Sequence, residues 1–299
     1  MRKWVVVILI LLALYFVSSI VSMFLVSDGG AFEDKIVVVP ITGVIATERS
    51  GDFFGSNAVS SVDLVKEIKD LGEDKSVKGI IFEIDSPGGD AVASQEIANA
   101  IKNLNKINYA VIRGTGASGA YWAASASDKI IASPISITGS IGVLSSYLQF
   151  SELFERYGVT YERLVGGNYK DLGSPFRELT DKERELLQKK IDLVHEFFIS
   201  EVANNRNLSL EYVRNISTGE FYMGQEALEL GLVDILGDRD AAVDSMKKEL
   251  NVTEIRIVER KEEHTLFDVL LGKVSYQFGR GFGRAFVDRD LNERFRISA

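Results

Sequence analysis

Apolar positions in this chain follow three rhythms, and each predicts a kind of element. The first is unbroken: the run from Trp4 to Val26 carries no charged residue. A helix rising about 1.5 Å per residue over such a run spans a bilayer core. The second is a series of short, continuous apolar stretches bounded by glycine, proline or charge. They are Ile36 to Ile41, Lys78 to Asp85, Tyr109 to Arg113 and Lys129 to Pro134, followed by a glycine-punctuated turn and strand from Ile137 to Val143. Strands without polar alternation belong to a sheet covered on both faces. The third is helical spacing. Val62, Val65 and Ile68 share one face of a surface helix over 62–71, and Ile97, Ile101 and Leu104 share one face of a helix over 91–104.

Further along, the pattern predicts a short helix over 152–157, a strand over 160–165 and a loop from Gly166 to Asp171. Thr180 and Glu183 have the spacing of a capping box, opening a helix that runs to about Asn204. Leu187, Ile191, Val194 and Phe198 line one face of that helix, which suits covering the core or a subunit contact. A short helix over 224–230 stops at Gly231, and another covers 240–250. Gly43 to Asn57, rich in glycine and polar residues, reads as a mobile loop. Thr265 to Ala299 mixes glycine with Phe278, Phe282, Phe286, Arg280 and Arg284, and suits either an amphipathic surface segment or a flexible tail. Helices alternating with short apolar strands give an α/β layer architecture.

Composition narrows the chemistry. The 299 residues carry a net charge of -9, which argues against a nucleic-acid partner, and no basic patch with interleaved aromatics is present. The absence of Cys removes disulfides, thiolate nucleophiles and Cys-ligated metals. Arg2 and Lys3 precede the first apolar run, and Asp28, Glu33 and Asp34 follow it. The positive-inside bias therefore puts the N-terminus in the cytoplasm and the rest across the membrane. A cleaved signal peptide is the competing reading, with Ser18, Ser19 and Ser22 as small residues for cleavage. The length of the run favours a retained anchor.

Candidate chemistry centres on Ile112 to Ala124. An apolar strand feeds Gly114-Thr115-Gly116-Ala117-Ser118-Gly119, then a helix of small residues. That arrangement exposes Ser118 at a helix N-terminus, in the field of its unsatisfied N–H groups. The same pattern also suits a plain tight turn packing a small-residue helix on a sheet. A serine nucleophile needs a base, and only His195 and His264 are available. His195 sits inside the long amphipathic helix and His264 beside a charged run, so neither has the setting of a base. No His pair stands at metal-ligand spacing, and no metal or cofactor is expected. The remaining base is lysine, which must be neutral to act. Lys170 lies in a glycine-rich loop beside Tyr169. Asp171 would keep it charged if the two side chains faced each other. Taken alone, Lys170 reads equally as a solvated loop lysine.

Five stretches in this order carry a resemblance. They are Ser86-Pro87-Gly88-Gly89, Gly116 to Tyr121, Thr138 to Val143, Tyr169-Lys170-Asp171 with Ser174-Pro175 and Arg177-Glu178, and Gly224 to Asp234. With the N-terminal anchor, the chain resembles the signal peptide peptidase A family of membrane-anchored Ser–Lys serine proteases over about Lys35 to Leu250. The resemblance implies a ClpP/crotonase-like α/β fold, a repeated ββα superhelix preceded by one transmembrane helix. It divides the chain into an anchor at 1–27, a linker at 28–34, a peptidase domain at 35–250 and an extension at 251–299. It implies Ser118 as nucleophile, Lys170 as general base and Ser140 as the residue orienting the lysine. The backbone N–H groups of Gly89 and Gly119 become the oxyanion-hole donors. Two such donors aimed at a developing oxyanion are each worth roughly 3 kcal/mol of barrier. The family's short type implies a homo-oligomeric ring or dome whose active site is completed by a neighbour. Its substrates are the remnant signal peptides left in the membrane after preprotein cleavage, and its catalytic domain lies outside a single-pass cell-membrane anchor. Val143, Leu144 and Tyr121 flank the motifs and are candidates for side-chain recognition. Two other readings remain: a membrane serine protease cutting specific membrane proteins such as stomatin-like partners, and a crotonase-type acyl-CoA enzyme, for which no coenzyme A site is visible.

Overall fold

The computed structural model describes residues 11–18, 34–48 and 58–260. Residues 11–18 are helical (α1) and exposed; the rest of the predicted anchor lies outside the described residues, as does the segment from Thr265 to Ala299. Among the described residues no helix is long and apolar enough to cross a membrane.

A mixed α/β layer forms around one mostly parallel sheet. Its strands are β1 (Lys35–Thr42), β4 (Val77–Ser86), β5 (Ile107–Ala117), β6 (Lys129–Ala132), β9 (Ile235–Leu236) and β10 (Arg256–Glu259), in the order β10-β1-β4-β5-β6-β9. The β1–β4 and β4–β5 connections cross over through α2 (Ser61–Glu73) and α3 (Ala91–Lys102), as parallel neighbours require. The continuous apolar runs have the predicted consequence. Val37, Val39, Ile80, Phe82, Ile84 and Ile112 face one core, shared with α2, α3, α4 (Gly119–Ser125) and α6 (Asp181–Arg206). Ile36, Val38, Ile81, Tyr109 and Val111 face the other, closed by Ala242, Val243 and Met246 of α9 (Arg239–Leu250). Strand alternation sends neighbouring side chains to opposite sides, so both faces must be apolar.

Strand β5 is unusually long, and its two halves have different partners. Tyr109–Ile112 pairs with β6, whereas Thr115–Ala117 pairs with β7 (Ile137–Gly139), which turns away to meet β8 (Phe221–Met223) antiparallel. The end of β5 is thereby carried out past the main sheet, and Ser118 stands at its tip.

Four readings need correction. Gly43 to Asn57 is not all loop: Val44–Ala46 forms β2, parallel to β3 (Ala58–Ser60), because its β-branched residues find a partner strand. In α2 the buried stripe is Leu64, Ile68 and Leu71 with Ser61, while Val62 is exposed; two apolar faces compete there and the one rich in leucine wins. The sheet strand beginning at Ile137 ends at Gly139, where Gly139 and Ser140 turn to positive φ. The strand expected over 160–165 does not form; residues 159–170 are exposed throughout and have no strand to pair with, and Leu164 is 95% exposed. Helices α5 (Ser151–Arg156), α6 and α8 (Gly224–Glu229) form as predicted, α6 with its capping box complete. Only the C-terminal part of α6, from Phe198, is packed into the core. The short helix α7 (Leu210–Ile216) and strands β8 to β10 carry too few periodic residues to be read from sequence.

Candidate active site

Ser118 is the N-cap of α4 and has φ 54° and ψ -125°. A non-glycine residue there costs of order 1–3 kcal/mol and persists only where its surroundings over-determine it. They do so here. The Ser118 N–H donates to the Gly139 carbonyl at 2.8 Å, and the Ser118 carbonyl accepts from Trp122 N–H at 3.0 Å. The Ser118 side chain does not cap its own helix, which leaves the hydroxyl available. Ala120, Tyr121, Ala123 and Ala124 are fully buried, so α4 is held as a rigid plug beneath it.

The Ser86-Pro87-Gly88-Gly89 loop lies directly against this turn. A Cβ on Gly88, which has φ +94°, would come within 2.7 Å of the Gly119 nitrogen and 3.0 Å of the Ser118 Cβ. Gly89 forms a parallel bridge to Ile45: Ile45 N–H donates to Gly88 O at 3.0 Å, and Asp90 N–H donates to Ile45 O at 2.8 Å. The bridge uses the groups on either side of Gly89. Strand alternation therefore turns Gly89 N–H to the opposite side, where a Cβ on Gly119 would lie 3.4 Å from it. Gly119 N–H is the first of its helix and has no intrahelical acceptor by position. Two backbone donors thus stand beside the Ser118 hydroxyl. Gly89, Ser118, Gly119, Trp122, Val143, Leu144 and Phe198 all line one cavity of about 300 Å³. Its floor is Trp122 stacked on Phe198, ring centroids 4.6 Å apart and 10° from parallel.

Of the remaining predicted residues, Ser140 follows the Gly139 carbonyl that holds Ser118. It has φ 50°, its N–H donates to Glu220 O at 2.9 Å and its hydroxyl to Gly219 O at 3.2 Å. Val143 and Leu144 line the cavity as candidates for side-chain recognition should. Tyr121 does not: it is fully buried, its hydroxyl donates to Leu232 O at 2.9 Å, and burial pushes its ionisation up. His195 has a structural setting, its Nε2 lying 3.2 Å from the Ile141 carbonyl. His264 lies outside the described residues. Among the described residues no cluster could hold a metal ion.

Lys170 is exposed, on a turn with its N–H donating to Gly167 O at 3.2 Å, and it is not among the residues lining the Ser118 cavity. Asp171, the neighbour expected to threaten its neutrality, is engaged elsewhere. Its carboxylate accepts from Arg163 at 2.6 and 2.7 Å and from Arg177 at 2.7 and 3.0 Å. Those guanidiniums hold its pKa far below the usual carboxylate range. Sequence reading missed this cluster and the Ile45 bridge, since both join residues whose spacing carries no periodic signal. The β-branched pair Val44–Ile45 inside a glycine-rich stretch was the one available clue.

The model of peptidase family S49 matches residues 100–253. A protein of Enterococcus faecium named “Putative signal peptide peptidase SppA” is 36% identical over 243 residues, covering 80% of this chain and 71% of that protein. A “Putative protease” of Methanocaldococcus jannaschii is 36% identical over 235 residues, covering 77% and 75%. “Protease 4” of Haemophilus influenzae is 32% identical over 222 residues, covering 73% of this chain and 35% of its own length.

Proposed function

The chain belongs to peptidase family S49, the signal peptide peptidase A family, and is a serine endopeptidase; we propose that Ser118 is its nucleophile and Lys170 its general base. The observation that carries this is the strained Ser118 turn with the Gly89 and Gly119 amides converging on it. Ser118 Oγ attacks the scissile carbonyl and gives its proton to the neutral lysine. The carbonyl oxygen, becoming negative, takes the two glycine N–H groups. The lysine then protonates the leaving amine, and water cleaves the acyl-enzyme by the reverse sequence. Ser140 orients the lysine amine from the neighbouring strand end.

The lysine that serves Ser118 comes from an adjoining copy, in a homo-oligomer of ring or dome form. This reading is supported by the exposure of Lys170 and its absence from the cavity around Ser118. It is also supported by the exposed Leu144, Leu148, Tyr157, Val159 and Leu164, gathered on one stretch of chain, and by Leu193 exposed on α6. The apolar cavity floor suits an apolar side chain, and substrate enters as an added strand beside 141–144. We take the substrates to be remnant signal peptides. Residues 1–27 form a retained membrane anchor with a cytoplasmic N-terminus and the peptidase domain outside. We take the sheet with crossing helices α2 and α3 as the ClpP/crotonase-type superhelix. A fluorophosphonate probe tests the site. The wild-type protein is expected to label at Ser118 and the Ser118→Ala variant not at all. Labelling that survives in Ser118→Ala overturns the assignment.

A further inference from the structure

Residues 157–170 leave the core, contain no strand and are exposed, yet the turn that ends them is tied down by charge. Glu183 in the first turn of α6 accepts from Arg177 at 2.6 and 2.9 Å. Arg177 grips Asp171 with two further N–H groups, and Arg163 grips the same carboxylate from the other side. Arg163 also donates to the Asn168 carbonyl at 3.0 Å, closing the tie over the turn that holds Lys170. Each of these is a two-pronged guanidinium–carboxylate pair, the geometry that fixes position as well as charge. Glu183 is anchored in turn by the Thr180 N–H at 2.9 Å in the capping box. The relay therefore runs from the helix end to the residue beside Lys170.

We propose that Arg163 and Arg177 are positioning residues for Lys170: they fix its turn to α6, and by occupying Asp171 they deny Lys170 the counter-ion that would keep it protonated. The inference rests on the Ser118–Lys170 reading. The four groups balance one another in charge, two cations against two carboxylates, so the cluster adds no net charge beside the base. Asp171 is half-buried, the carboxylate nearest Lys170 in sequence and the one the cluster occupies. Glu162 and Glu178 lie on the flanking segments, exposed to water, as do Asp181 and Lys182 at the start of α6. Screening by solvent makes those groups weak influences on the amine. Loss of either arginine leaves each Asp171 oxygen with one partner instead of two and leaves the cluster with one negative charge in excess beside Lys170, and an uncompensated opposite charge raises a lysine's pKa.

The test is the pH dependence of kcat/KM for peptide cleavage by the full chain. Its rising limb reports deprotonation of the base. Arg163→Gln and Arg177→Gln are expected to move that limb up by about one pH unit, and to lower the plateau about tenfold. Adding Asp171→Asn to Arg163→Gln returns the limb to its wild-type position or below it, although the turn stays loosened. Asp171→Asn alone moves it down, since Arg177 stays paired with Glu183 and the cluster is left with one positive charge in excess. Arg177→Lys, which keeps the charge but loses the fork, recovers part of the limb and little of the plateau. Arg163 bonds Asp171 and Asn168 and makes no hydrogen bond to α6 itself, so Arg163→Gln keeps the test usable if Arg177→Gln fails to fold. A uniform loss of rate with the limb unmoved in every variant would overturn the proposal while leaving the dyad intact. Undiminished cleavage by Lys170→Ala would remove the dyad and this proposal together.

Discussion

The turn around Ser118 and the turn around Lys170 are held by opposite means. At Ser118 the constraint is close packing: glycines pressed to within van der Waals contact, backbone hydrogen bonds on both sides, and a fully buried helix beneath. At Lys170 there is no core to press against, and paired charges fix the turn. A strained backbone needs an enclosure that cannot relax, because any slack releases the 1–3 kcal/mol or so it stores. A turn presented to another surface has no such enclosure in its own chain, and bidentate ion pairs are the means left to order it.

Substitutions that attack each plan separately sharpen this contrast. Ser118→Ala has the largest expected effect: peptide cleavage falls by about 10⁴-fold or more with the fold and oligomer unchanged, as for removal of a serine nucleophile elsewhere. Gly89→Ala comes next. Its Cβ would stand 2.0 Å from the Ile45 carbonyl oxygen, a backbone atom with no freedom to retreat, so the bridge opens and the Gly89 N–H swings away. Loss of one oxyanion donor costs about 10²–10³ in kcat, and Lys170→Ala placed in the same assay separates the two halves. Trp122→Ala removes the stacked cavity floor and costs about 3–5 kcal/mol in chemical denaturation, as large aromatic truncations do. A destabilisation below about 1 kcal/mol would show that packing does not hold the Ser118 side.

Acid distinguishes the other side. The Arg177 guanidinium and the Thr180 N–H bring the Glu183 carboxyl from its usual 4.5 down to about 2. A carboxylate depressed on folding adds stability above its unfolded pKa and loses it as pH falls through the folded value. The protection factors of the hydrogen-bonded Lys170, Leu172, Ser174 and Thr180 amides, corrected for the intrinsic pH dependence of exchange, should therefore hold at pH 5 and fall as pH drops from about 4.5 to 2, while those of 117–124 hold. Uniform loosening of both would erase the contrast. The smallest effect is expected at Glu185–Lys189, a pair exposed on both sides at 2.6 Å. Glu185→Gln should leave both the melting temperature and cleavage unchanged.

Elements whose residues repeat with a period were legible in the sequence. The two-faced strands, α3, the capping box at Thr180 and the strand–turn–helix that exposes Ser118 all follow from local pattern. What escaped depends on partners far away in sequence. Ile45 becomes a strand residue because Gly89 meets it, and Thr160 to Val165 fails to become one because no strand comes alongside. Tyr121 looked like a recognition residue by adjacency to Ser118, but one step round the helix sends it into the core instead. The arginine partners of Asp171 escaped as well: they stand six and eight residues away, on either side of a fold-back that composition does not announce.

The central claim is that nucleophile and base belong to different copies of the chain, and one measurement addresses it directly. Ser118→Ala and Lys170→Ala chains are co-expressed, and the mixed assembly is assayed for peptide cleavage beside each variant alone. Both variants should be inactive by themselves, and the mixture should recover a sizeable fraction of wild-type activity through sites that pair an intact Ser118 with an intact Lys170. A mixed assembly, verified to contain both chains, that remains inactive would contradict the account.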